Sequence, residues 1–87
     1  MPVHFNPQPL EGNVFIRATN MHYVGTVVHV GPIFVELNPA IWIADPGVRM
    51  GEFLGKGKLV GEYECYPKQA FVNISKIEDI CPWDGEI

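Results

Sequence analysis

A chain of 87 residues, 47% hydrophobic and 18% charged, buries about 64% of its unfolded surface by size scaling, enough for one small core and too little for two domains. Ten acidic against six basic residues give a formal charge of −4, which argues against a broad nucleic-acid groove unless assembly gathers the scattered cations Arg17, Arg49, Lys56, Lys58, Lys68 and Lys76. There is no polybasic run, no export-type leader in the first fifteen residues and no apolar run near the ~18 residues that span a bilayer, so the expected location is the cytoplasm, with no membrane partner.

Residues 1–12, with Pro2, Pro7 and Pro9, read as an extended N-terminal arm without a core of its own. Its Met1, Val3, Phe5 and Leu10 are apolar enough to dock on a neighbouring copy. A single β domain is expected over 13–83, followed by an acidic tail at 84–87. The first strand is read at 14–20, alternating Val14, Ile16 and Ala18 against Phe15, Arg17 and Thr19, and the second at 22–30, where Gly25 suggests a bend or bulge. Gly31-Pro32 makes a tight hairpin into a strand at 33–37, Asn38-Pro39 breaks that run, and 40–44 forms the next short strand.

Asp45-Pro46-Gly47 is a turn whose Asp also suits the cap of a short helix over 47–54. Further strands are read at 59–66, where Tyr63 and Cys65 alternate against Glu62, Glu64 and Tyr66, and at 70–74 and 77–80 before Cys-Pro-Trp at 81–83. So many short strands with so little between them describe a mainly β chain, a small five- to six-stranded barrel with one short helix. Cys65 and Cys81 read as small, buried or half-buried residues in a reducing compartment.

Gly25, Val27, Val30, Val35, Leu37 and Ala40 occupy places similar to the first motif of the Sm-like family of SH3-like barrels, and Val72-Asn73-Ile74 with Ile77 and Ile80 is similar to its second. The resemblance covers about two thirds of the chain and implies a barrel that assembles into rings. The Arg-Gly pair that helps hold RNA in that family is Asn73-Ile74 here, and the turn acid is Gly31, so an RNA-binding ring stands as an alternative. A second resemblance is carried by Ala40-Ile-Trp-Ile-Ala-Asp-Pro-Gly47, which is similar to a group of small uncharacterised bacterial and phage proteins with a Trp-Ile-Ala-Asp-Thr-Gly-Arg motif. In that pattern Pro46 replaces Thr and the Arg is displaced to Arg49. This resemblance implies relatives, a phage structural or assembly protein among the alternatives, without supplying chemistry.

Trp42, Asp45 and Arg49 suit a ligand pocket: an indole to stack on a planar group, a carboxylate to take a donor and a guanidinium to pair with an anion, with Arg17 as a further cation. The plainer alternative makes Trp42 core, Asp45 a cap and Arg49 surface. His4, His22 and His29 fit no metal-ligand spacing, and no nucleophile stands beside a base in sequence, so no metal, no cofactor and no catalysis are expected. The low charge leaves little polar surface, which favours self-association. The reading is a non-catalytic homo-oligomer that captures a small, anionic, nucleotide-like ligand at or near subunit interfaces.

Overall fold

The computed structural model describes residues 11–19, 21–45, 53–55, 57, 59, 61–85 and 87. Its strands are β1 (Gly12–Ala18), β2 (His22–Val30), β3 (Phe34–Asp45), β4 (Glu62–Cys65), β5 (Ala70–Asn73) and β6 (Ile77–Pro82), with a single 3₁₀ turn, Ile74–Lys76, between β5 and β6. All pairings are antiparallel, in the order β4-β3-β2-β1-β6, and β5 also pairs with β3. β3 is long enough to serve two partners on one edge: residues 34–37 take β5, and residues 41–45 take β4.

Among the described residues the chain is therefore mainly β, with six antiparallel strands in one sheet, within the five to six that the spacing of apolar runs predicts. Three details differ. The two strands expected at 33–37 and 40–44 are one strand, because Asn38-Pro39 is accommodated as a bulge: Gly25 opposes Ala40 and Val27 opposes Leu37, so two residues of β3 face one of β2. Leu37 and Ala40 consequently point into the same core although they are an odd number apart. Second, the strand expected at 59–66 shortens to β4.

Third, the hydrogen-bonded ladder stays open among the described residues, so the closed ring of the expected barrel is not formed. β5 and β6 meet through the 3₁₀ turn instead of pairing side by side. That turn is tied across the gap: Thr19 N donates to Lys76 O at 2.9 Å, and Ile74 N donates to Ile33 O at 2.8 Å. Its Asn73 cap accepts from Ser75 N at 2.9 Å, which fixes the entry of the chain. The helix expected over 47–54 lies mostly outside the described residues, with 53–55 helical, and the arm lies outside them except for Glu11 and Gly12.

Two apolar clusters cover opposite faces of the sheet. On one face Val14, Ile16, Val35, Leu37, Ala40, Ala70 and Val72 pack together, all supplied by strands. On the other, Phe15, Val24, Ile41 and Ile43 are covered by Phe53 and Trp83, which lie outside the strands. Gly25 is needed on the first face, since a Cβ there would lie 2.7 Å from the Pro39 carbonyl oxygen and 3.0 Å from Leu37 Cβ.

Candidate functional site

Register places Tyr23 opposite Trp42 and Trp42 opposite Glu64, so three strands contribute one row of side chains on one face. A cleft of about 320 Å³ opens along this row, lined by Met21, Trp42, Glu64, Cys65, Tyr66 and Pro67. Met21 and Trp42 are half-buried, and the β4 side of the cleft is exposed. Tyr66 N donates to Ala40 O at 2.9 Å, which holds the end of β4 against β3.

The polar side chains of the cleft are few. Tyr23 Oη donates to Met21 Sδ at 3.3 Å, and the Tyr66 hydroxyl is hydrogen-bonded to Tyr23. Burial, and then the neighbouring Tyr23 phenol, push the Tyr66 pKa above the ordinary tyrosine value, so this phenol stays neutral and able to donate. The indole Nε1 of Trp42 is fully enclosed and has no hydrogen-bond partner among the described residues. An enclosed donor left unpaired costs about 1–3 kcal/mol, which an arriving acceptor recovers. Glu64 is the only charged residue in the described lining.

Of the four residues expected to form a pocket, the described residues place the side chains of two, Trp42 and Arg17. Trp42 lines the cleft. Arg17 does not: it is in register with His22, and His22 with Ile43, so Arg17 shares the face of Ile43, opposite to that of Trp42. Its guanidinium is engaged by β6, through a close pair with Asp79 and a contact from Nε to Glu78 Oε2 at 3.7 Å. Asp45 closes β3 opposite Glu62, but its side chain lies outside the described part, as does Arg49. Met21, Glu64 and Tyr66 are wall residues that sequence alone does not find, because they converge only once β2, β3 and β4 are paired. The alternation that puts Glu64 and Tyr66 on one side of their strand is the signal that points to them.

Of the histidines, His22 stacks on Phe15 with ring centroids 5.6 Å apart, and His29 lies on the hairpin arm opposite Glu36. Among the described residues no three His, Cys, Asp or Glu side chains converge as a metal site. The half-buried Cys81 thiol has its pKa raised by burial and then by Asp79, which disfavours the thiolate. Among the described residues no helix is long and apolar enough to cross a membrane. Compared with known proteins, the chain matches no family model, no curated protein and no solved structure.

Proposed function

We propose that this chain is a non-catalytic binding module of Sm-like or SH3-like build, self-associating, whose Trp42 cleft takes the ring of a nucleobase-bearing ligand. The strand order and the 3₁₀ turn joining β5 to β6 support the build. The observation that carries the ligand reading is the unpaired indole N–H of Trp42 in a cleft walled by aromatic, thioether and proline side chains. A nucleobase supplies what the walls lack: a flat ring, an acceptor for Nε1 and, in the amino-bearing bases, a donor for Glu64. Glu64 and Tyr66 are exposed on the β4 side of the cleft, where a ligand would enter. A nucleotide enters base first and leaves its phosphate outside, away from the Glu64 carboxylate.

Calorimetric titration of nucleosides and their monophosphates tests this. Trp42→Phe keeps an aromatic wall and removes the donor, so the expected result is binding to the wild type that falls about five- to tenfold in the variant, in line with roughly 1 kcal/mol for the hydrogen bond. Affinities for nucleoside and monophosphate should agree within about threefold, with shallow salt dependence. No binding by the wild type, or affinity indifferent to Trp42→Phe, removes the proposal; a steep fall with salt on single-stranded RNA transfers the function to phosphate tracking.

A further inference from the structure

Two polar groups of the Trp42 cleft stand side by side without a partner among the described residues. Trp42 of β3 and Glu64 of β4 are directly opposed across the ladder, which sets their Cβ atoms about 4.5–5.5 Å apart on one face. The indole contributes one enclosed donor, Nε1. The exposed Glu64 carboxylate contributes two acceptor oxygens, and the ion pairs of the described residues leave it aside, since both belong to Arg17. The other polar side chains of the lining are placed or occupied elsewhere: Cys65 stands opposite Ile41, in the row of the other face, and the Tyr66 hydroxyl is bonded to Tyr23.

We infer that the base taken by this cleft is guanine, presented as a free nucleoside or nucleotide. The inference rests on the nucleobase reading above, in which an acceptor on the base meets Nε1, and adds the choice of base. An ionised carboxylate only accepts, and its two oxygens suit two parallel donors. Among the four standard bases guanine alone carries two adjacent donors on one edge, N1–H and the N2 amino group, with the O6 acceptor next to them. Both donors meet Glu64, and O6 is the atom left for the indole N–H. Adenine and cytosine set a ring-nitrogen acceptor beside a single amino group, so one carboxylate oxygen would face a lone pair. Uracil sets its N–H between two carbonyls, so a carboxylate there faces oxygen on either side. Exposure keeps Glu64 partly hydrated, which places the expected preference near about tenfold rather than far above it.

Calorimetric titration of guanosine, inosine, adenosine, cytidine and uridine reads that preference. Inosine keeps O6 and N1–H and lacks only the N2 amino group, so it should bind about five- to tenfold more weakly than guanosine. Glu64→Gln puts a donor where guanine needs an acceptor, while a carboxamide matches the amino group and ring nitrogen of adenine. Guanosine affinity should therefore fall about tenfold in the variant and adenosine affinity hold or rise, with circular dichroism unchanged because the side chain is exposed. A merely structural Glu64 would move both alike. At a net charge of −4, a uridine-rich tetranucleotide holding one guanosine should bind no tighter than guanosine monophosphate; a tighter strand would overturn the free ligand in favour of guanine within RNA. Guanosine that binds no better than inosine or adenosine, or a preference untouched by Glu64→Gln, overturns the choice of base, and binding that still weakens in Trp42→Phe then keeps the cleft reading. Absence of binding by all five nucleosides removes both.

Discussion

The two faces of the sheet are buried by different means. One is filled by strand residues meeting across ladders, small and branched side chains such as Val14, Val35, Leu37 and Val72. The other is aromatic and borrowed: Phe53 and Trp83 lie over Phe15 from outside the strands, with Phe53 and Trp83 centroids 5.2 Å apart and Phe15 6.0 Å from Phe53. The borrowed cover is anchored by backbone. Trp83 N donates to Asn13 O at 2.9 Å, and Gly57, at φ +61°, lies so close to Gly85 that a Cβ on the latter would collide with the Gly57 carbonyl. A sheet open at its ends thus gains its second core from a loop and a tail, and the two cores should fail differently.

The largest effect is expected at Phe53, which is fully buried. Phe53→Ala should cost about 3–5 kcal/mol, a large part of the 5–15 kcal/mol typical of a domain. Its signature separates the faces: Trp83 fluorescence should shift red at denaturant concentrations where the amides of β1, β2 and β3 remain protected from exchange. Loss of both signals together would show that the cover and the sheet are one cooperative unit.

Gly25→Ala tests the other face and should cost about 1–3 kcal/mol, because the added methyl meets the Pro39 carbonyl and Leu37 in a core with no lid to move aside. Here a single cooperative transition is expected, with Trp83 fluorescence and exchange protection lost together. A change under about 0.5 kcal/mol would mean that the bulge of β3 yields, making this face the softer of the two.

This contrast also explains what could be read from the chain. The strand-built face is written locally: His22–Val30 alternates, Gly31-Pro32 turns, and β5 and β6 follow the same rule, so their limits emerge from sequence to within a few residues. Asn38-Pro39 reads as a break because proline lacks a donor, and only the opposing Gly25 and Val27 reveal a bulge in a continuous strand. The borrowed face has no such script, since Phe53 and Trp83 acquire their roles from Phe15, which is distant in sequence. The candidate site follows suit. Trp42 stands out as an aromatic before a turn, whereas Glu64 joins it through register and Met21 and Tyr66 through the strand ends that this register brings beside it. Arg17 reads as a free cation until the fold brings up Asp79, 62 residues on.

Arg17 gives the smallest expected effect and the most specific check on which face carries binding. It bridges β1 to Asp79 and Glu78 of β6, with about half of each of the three side chains exposed to solvent. Exposed pairs are worth about 0.2–1 kcal/mol and weaken with salt, so Arg17→Ala should lower stability by no more than about 1 kcal/mol, a difference that shrinks as salt rises through 0.5 M. The pair lies on the face opposite Trp42, so the same variant should bind nucleosides in the Trp42 cleft as the wild type does. Denaturant titrations at two salt concentrations and one calorimetric titration suffice. A tenfold loss of affinity in Arg17→Ala would mean that ligand is held on the aromatic-covered face by a cation that gives up Asp79 to do so, and would exchange the roles assigned to the two faces.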